Sequence, residues 1–475
     1  MAASKRRKTL WIIWGLLTAG LVAYMSYGLF SQASAKHPLL SPGRALMLPG
    51  QTTHGHHQIE MACETCHTQA FGGGELIQEA CVSCHGDALK EARDSHPASK
   101  FDDPRNAERL DKLDAQLCIT CHVEHRKPMT HTLGVSLPKD FCFHCHSGEE
   151  EMPPSHKDFA FDGCTAAGCH NFHDNRALYE DFLLKHLNEP KLLAKMQVPA
   201  KELSTAVHEM SSYPREKYPL QPLTLAPLDA PTTHQGNGKL QADWLSTAHA
   251  KAGVNCSGCH LASTGAKAGQ WNERPDHTAC ASCHAAETKG FLGGLHGMRL
   301  AQDLPAMTPA QAQLPMHKDA AHKQLGCTSC HSAHRFDVAS AAVDACLTCH
   351  NDQHTQAYKQ SPHFRLWQDE LAGKLPPGSG VTCATCHLPR QRMSTADGSR
   401  MVVQHDQNET LRPNSKMLRP VCQHCHGYEF AIDALADPAL IAKNFKGSPK
   451  RHVDSAAMAA KKDEEIRRKR AQGTQ

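Results

Sequence analysis

The chain has 475 residues, with 51 Lys and Arg against 48 Asp and Glu and a net charge of +3, too even a balance to gather nucleic acid. Hydrophobic residues make up 40% and aromatics only 5%, thin for a side-chain core in a chain long enough for two or three domains. The outliers are 22 cysteines and 35 histidines.

Residues 1–9 form a basic tip carrying Lys5-Arg6-Arg7-Lys8, and 10–30 follow without a charge. That length predicts a transmembrane anchor, with the basic tip in the cytoplasm and the remainder outside. Trp11, Trp14, Tyr24 and Tyr27 near its ends suit the membrane interfaces. The alternative is a signal peptide cleaved near Ala33-Ser34-Ala35. The expected location is therefore the inner membrane with the bulk of the chain in the periplasm, or a soluble periplasmic protein after cleavage. Residues 31–53, with Pro38, Pro42 and Pro49, read as a tether.

Residues 54–186 carry five cysteine–histidine motifs: Cys63/Cys66-His67, Cys81/Cys84-His85, Cys118/Cys121-His122, Cys142/Cys145-His146 and Cys164/Cys169-His170, the last with four intervening residues instead of two. Residues 187–235 read as a helical and Pro-rich linker: Tyr179 to Ala206 suggests one or two amphipathic helices broken at Pro190, and five prolines fall between Pro214 and Pro231. Leu240 to His249 predicts a helix. Residues 236–452 hold six more motifs: Cys256/Cys259-His260, Cys280/Cys283-His284, Cys327/Cys330-His331, Cys346/Cys349-His350, Cys383/Cys386-His387 and Cys422/Cys425-His426. The charged tail, 453–475, reads as a solvated helix or a disordered end.

Cys-x-x-Cys-His is the attachment signature of c-type haem. Two cysteines on one helical turn reach the two vinyl groups of a porphyrin, and the adjoining histidine supplies a proximal ligand to iron. A zinc knuckle pools four ligands and gives no reason for a histidine after every second cysteine. A disulfide framework needs no histidine at all. Eleven motifs use all 22 cysteines, so the expected cofactors are eleven covalently attached haems, whose macrocycles would replace side-chain core. The fold class expected is mostly α with much irregular structure, a haem-cored multihaem cytochrome c with one N-terminal transmembrane helix.

Of the 35 histidines, eleven close a motif and 24 remain. The His-x5-Cys spacing before Cys63 and the Cys-His-x-x-His runs at His122 to His125 and His170 to His173 resemble class III and related small multihaem cytochromes. In that family the extra histidine ligates a haem other than its sequence neighbour. The resemblance implies a distal-ligand pool of His57, His96, His125, His131, His156 and His173 for the first half. In the second half Tyr358-Lys359-Gln360-Ser361-Pro362-His363, Trp367, Gly378-Ser379-Gly380-Val381-Thr382-Cys383 through Arg390, His405 and Cys422 resemble the C-terminal part of the hydroxylamine oxidoreductase family, and the pentahaem ammonia-forming nitrite reductases are similar over the Cys-His-x-Pro and later histidine portion. That resemblance implies long helices around the last motifs, with His363 and His405 as distal ligands. The other distal candidates there are His249, His277, His296, His317, His322, His334 and His354.

Two functions follow as expectations. One is an electron carrier of mostly bis-histidine haems, working in anaerobic respiration between a membrane quinol dehydrogenase, or another redox protein, and a periplasmic partner. The other, implied by the second resemblance, is an enzyme acting on nitrite or hydroxylamine at one open haem, with His354 as the catalytic candidate. Against it, every motif ends in His where the pentahaem nitrite reductases have a Cys-x-x-Cys-Lys site, six motifs stand where the oxidoreductases typically carry eight, and their adjacent Asp-His pair is interrupted here as Asp352-Gln353-His354.

Overall fold

The computed structural model describes residues 2–30, 44, 46–69, 72–138, 141–146, 172–174, 180–196, 198–200, 207–211, 213–226, 228–261, 269–396 and 398–472. Among these the chain is helical and irregular, with one two-stranded antiparallel sheet. Cys164, Cys169, His170 and His156 lie outside the described residues, as does most of the expected tether. The chain divides into two compact units, one of Met1–Cys164, His170–Arg176 and Arg299–Pro305, the other of Thr165–Cys169, Ala177–Met298 and Ala306–Gln475.

In the first unit the helix Ala2–Phe30 contains a 22-residue stretch, Arg6–Tyr27, long and apolar enough to cross a membrane. A second long helix, Gly74–Ala92, carries the second cysteine motif and ends where Arg93 turns left-handed at φ 51°. Beyond these the unit is built of single turns, among them Cys63–Cys66, Cys118–Cys121 and the 3-10 turn Phe141–His144. Its buried apolar side chains among the described residues are Ala62, Phe101, Phe141 and Leu304. So few contribute too little apolar burial to offset the chain entropy of folding.

The second unit has two small apolar clusters. Met210, Tyr213 and Tyr218, from the stretch expected as a linker, pack with Trp244, Ala250 and Val254. Leu183, Met417 and Leu418 pack with Tyr428, Ala431, Ile432 and Leu435. The helix expected over Leu240 to His249 is two, Gly238–Leu245 and Ala248–Lys251, because Thr247 takes extended backbone and its hydroxyl caps the second by accepting from the Ala250 amide at 3.1 Å. Between Tyr179 and Ala206 the described helix is Glu180–Lys185, six residues long.

The long helices implied for the last motifs are absent from the described residues. Cys383–His387 is five residues, stopped by Leu388-Pro389, since a proline disfavours helical backbone before it and donates no hydrogen bond. From there the chain enters strand β1 (Arg390–Thr395), which pairs in register with β2 (Gly398–Val403). The last motif is a 3-10 turn, Cys422–His424, and extended Gly427 starts a new helix at Tyr428. The tail forms the helix Asp454–Ala471.

Candidate functional site

Each described motif is wound on a turn, and in eight of them the amide of the closing histidine donates to the carbonyl of the first cysteine at 2.8–3.0 Å. The expectation that both cysteines share one regular helical turn needs correcting at four motifs. Cys145 follows the 3-10 turn Phe141–His144, Cys283 lies two residues past the helix His277–Ala281, Cys349 two past Asp344–Leu347, and Cys425 just past Cys422–His424. At each the second cysteine's own amide also donates to the carbonyl of the first: Cys145 to Cys142 and Cys283 to Cys280 at 3.2 Å, Cys349 to Cys346 and Cys425 to Cys422 at 3.1 Å. Two donors on one carbonyl tighten the turn; the same pair is found at Cys256, where Cys259 lies within the helix Ser257–His260. Cys145 and Cys283 are half-buried, and neither is in a disulfide.

Thr382 fixes the turn at Cys383: its hydroxyl accepts from the Thr385 amide at 3.1 Å while Thr385 Oγ1 accepts from the Thr382 amide at 3.0 Å. Tyr358 Oη donates to the Val381 carbonyl at 2.8 Å, and the Glu370 carboxylate accepts from the amides of Gly378 and Gly380, tying the helix Pro362–Leu371 to the loop before this motif.

All ten described motif histidines face a histidine from elsewhere in the sequence. In the first unit the ring centroids are 6.4 Å apart for His67 and His125, 5.9 Å for His85 and His56, 6.4 Å for His122 and His173, and 6.1 Å for His146 and His96. In the second they are 5.9 Å for His260 and His334, 6.0 Å for His284 and His249, and 6.4 Å for His331 and His405. His350 and His296 stand 6.2 Å apart, His387 and His354 6.0 Å, and His426 and His363 6.3 Å. Two imidazoles bound trans to one metal ion, with metal–nitrogen bonds of about 2 Å, hold their ring centres about 6 Å apart. Direct stacking brings flat rings closer, as His260 and Trp271 show at 4.7 Å.

The outer nitrogens are held in a matching way. His56 Nδ1 contacts Glu124 Oε1 at 2.6 Å, His173 Nδ1 contacts Asp94 Oδ1 at 3.2 Å, and the Nδ1 atoms of His96, His125, His354 and His405 reach the carbonyls of Phe172, Gly50, Ile441 and Val403 at 2.5–3.0 Å. Among the motif histidines, His122, His260 and His426 reach the carbonyls of Gly134, Asn272 and Lys191. A carbonyl can only accept, so Nδ1 carries the proton and Nε2 keeps the lone pair that a metal takes. Asn444 Nδ2 stands 3.2 Å from His354 Nε2, a contact that a metal bound at that nitrogen would replace. Burial pushes the imidazoles of His249, His296, His363 and His387 down to about 4, which keeps them neutral, the form that ligates.

The expected distal candidates divide on this geometry. His96, His125, His173, His249, His296, His334, His354, His363 and His405 face a motif ring. His57 does not: its Nδ1 reaches the His54 carbonyl at 2.8 Å, its Nε2 meets the Gln58 amide at 3.0 Å, and its ring stacks on His54. The ring facing His85 belongs to His56, which sequence reasoning passed over because the His-x5-Cys spacing pointed to its neighbour. His131 and His322 are not among the facing rings; His131 is exposed. His277 opens the helix His277–Ala281, and the His317 amide donates to the Cys349 carbonyl at 2.9 Å. His125 and His334 each follow a motif as Cys-His-x-x-His, with left-handed backbone at φ 61° and 65°. Each faces the histidine of a motif other than its own.

Several buried donors have no protein partner, among them the indole nitrogens of Trp244 and Trp271 and Nε of Arg400. Trp244 lies flat over His249 at 5.7 Å, and Trp271 over His260. Paired cysteines, facing imidazoles, donors able to take acidic groups and a scarcity of apolar core together fit a covalently held haem at these motifs.

The comparison with protein families agrees. Residues 55–147 match the family Cytochrome c3. The match supports a multihaem c-type cytochrome, an electron carrier with covalently attached haem. It covers the first four motifs.

Proposed function

We propose that this chain is a membrane-anchored undecahaem c-type cytochrome that passes electrons between a quinol-linked donor in the membrane and a periplasmic redox partner. The observation that carries the reading is the set of ten facing histidine pairs. His67, His85, His122, His146, His260, His284, His331, His350, His387 and His426 would hold the irons as proximal ligands and their facing histidines as distal ones, leaving none of those ten an open position. The two cysteines of each motif would hold the macrocycle by thioether bonds, whether from tightened turns, as at Cys145, Cys283, Cys349 and Cys425, or from regular ones. His170 and the Cys164/Cys169 site make the eleventh. Haem supplies a one-electron couple there; the protein holds the iron, shields it from water and sets its surroundings.

An enzyme acting on nitrite or hydroxylamine requires an iron with an exchangeable position. His354, the candidate for such a site, faces His387 at the same spacing as the other nine pairs, which supports the carrier. In protein-film voltammetry of the haem-loaded protein, reversible electron uptake unchanged by nitrite or hydroxylamine is expected. A catalytic current with either molecule would overturn the carrier reading.

A further inference from the structure

Within each unit the facing pairs lie beside one another, and the neighbours are consecutive in sequence. In the first unit Cys66 of the first motif lies near Cys84 of the second, Cys81 of the second adjoins Cys118 of the third, and Cys121 lies near Cys142 of the fourth. The helical turns carrying the first three motifs pack on one another in the same order. Aromatic contacts agree: Phe172 stands 5.2 Å from His173 of the third pair and 4.3 Å from His96 of the fourth.

The second unit repeats the pattern over six motifs. Cys259 of the sixth lies near Cys280 and Cys283 of the seventh. Cys280 adjoins Cys327 between the seventh and eighth, Cys330 lies near both cysteines of the ninth, and Cys346 adjoins Cys383 between the ninth and tenth. Cys386 then adjoins Cys422 and Cys425 of the eleventh. The imidazoles adjoin likewise, His249 with His331, His405 with His296 and His350 with His387. Trp244 touches His249 of the seventh pair and His334 of the sixth, and Phe445 touches His354 of the tenth and His363 of the eleventh.

We infer that within each unit the haem sites form an unbranched file whose spatial order is their order in the sequence. The sulfur contacts also define two kinds of junction. At the second–third, seventh–eighth and ninth–tenth junctions the first cysteines of both motifs meet. At the others the second cysteine of the earlier motif faces the later one. At the second, third, eighth and tenth motifs one cysteine adjoins the predecessor and the other the successor, whereas Cys280 of the seventh and Cys346 of the ninth adjoin both neighbours. The end sites of the second unit would be the sixth, at His260 and His334, and the eleventh, at His426 and His363.

This inference rests on reading the motifs as haem sites, and an experimental structure of the fully haem-loaded protein separates the two. The expected result is that the iron held by His331 has the irons of His284 and His350 as its two nearest neighbours, and that every other iron in the second unit is likewise nearest to its sequence neighbours. An iron whose nearest neighbour is two or more motifs away overturns the file, even with every iron bis-histidine. An iron lacking one of its two histidines counts instead against the coordination reading and leaves the order to be judged by the distances.

Discussion

The choice between His56 and His57 turns on where one proton is held. Glu124, 68 residues later in the chain, accepts from His56 Nδ1 at 2.6 Å and from the Thr53 amide and hydroxyl at 2.7 and 2.8 Å. Burial alone would raise the Glu124 carboxyl, but these donors hold it below the usual carboxylate range. The pinned imidazole stands 5.9 Å from the His85 ring. His56→Ala should therefore convert one haem per chain from low-spin to high-spin, whereas His57→Ala should convert none; optical and magnetic spectra of the two haem-loaded variants check this. A second residue-scale outcome concerns Asp437, whose side chain caps the helix Pro438–Ala442. Donation from the Lys450, Leu440 and Ala439 amides lowers its carboxyl below the usual range. A lowered folded value stabilises the fold above the unfolded pKa, near 4, and that contribution is lost as pH falls through the lowered one. Asp437→Ala should cut the melting temperature by about 2–4 °C at neutral pH and by less in acid, as calorimetry at both pH values would register.

Among the elements, the clearest link between packing and site is the helix Ala285–Gly293, which lies against the end of β2. A Cβ at Gly290 would come within 2.6 Å of Gln404 Oε1 and 3.1 Å of the His405 amide, so only glycine lets the strand deliver His405 toward His331. Gly290→Ala should cost about 1–3 kcal/mol of stability and disturb the low-spin signal of the His331 haem alone, as denaturation and spectra would report. Such placement was not legible in sequence. The eleven motifs were, because covalent attachment to one macrocycle forces two sulfurs and a ligand into one short stretch, and a short stretch is a local pattern. The kind of turn was not: Cys145 and Cys283 carry the same spacing as Cys66 and Cys121, yet stand beyond the end of a helix. The facing histidines are set by long-range packing. His363 and His405 came from resemblance to a family, while His57, taken from spacing in place of His56, shows where local pattern stops: two adjacent residues share almost every sequence signal, and a distant carboxylate distinguishes them. The long helices implied for the last motifs failed for visible reasons: Pro389 stops the turn at Cys383 just after His387, and the last motif is a 3-10 turn that ends at His424, before extended Gly427 opens a separate helix.

Across the whole molecule, the composition and the burial pattern say the same thing. Aromatics at 5% of the chain and four buried apolar side chains among the described residues of the first unit are too few for a side-chain core, which is what the proposed haem-filled interior requires. Chain produced without haem attachment should be unfolded and rapidly cleaved by protease, whereas the loaded protein should resist, since a group that binds only the folded state stabilises it. The central claim is that every iron has two histidines and none is open, and low-temperature electron paramagnetic resonance of purified, fully loaded protein, with and without nitrite or hydroxylamine, tests it most directly. The account predicts low-spin signals alone, unchanged by either molecule. One high-spin haem per chain that shifts when either is added would contradict it.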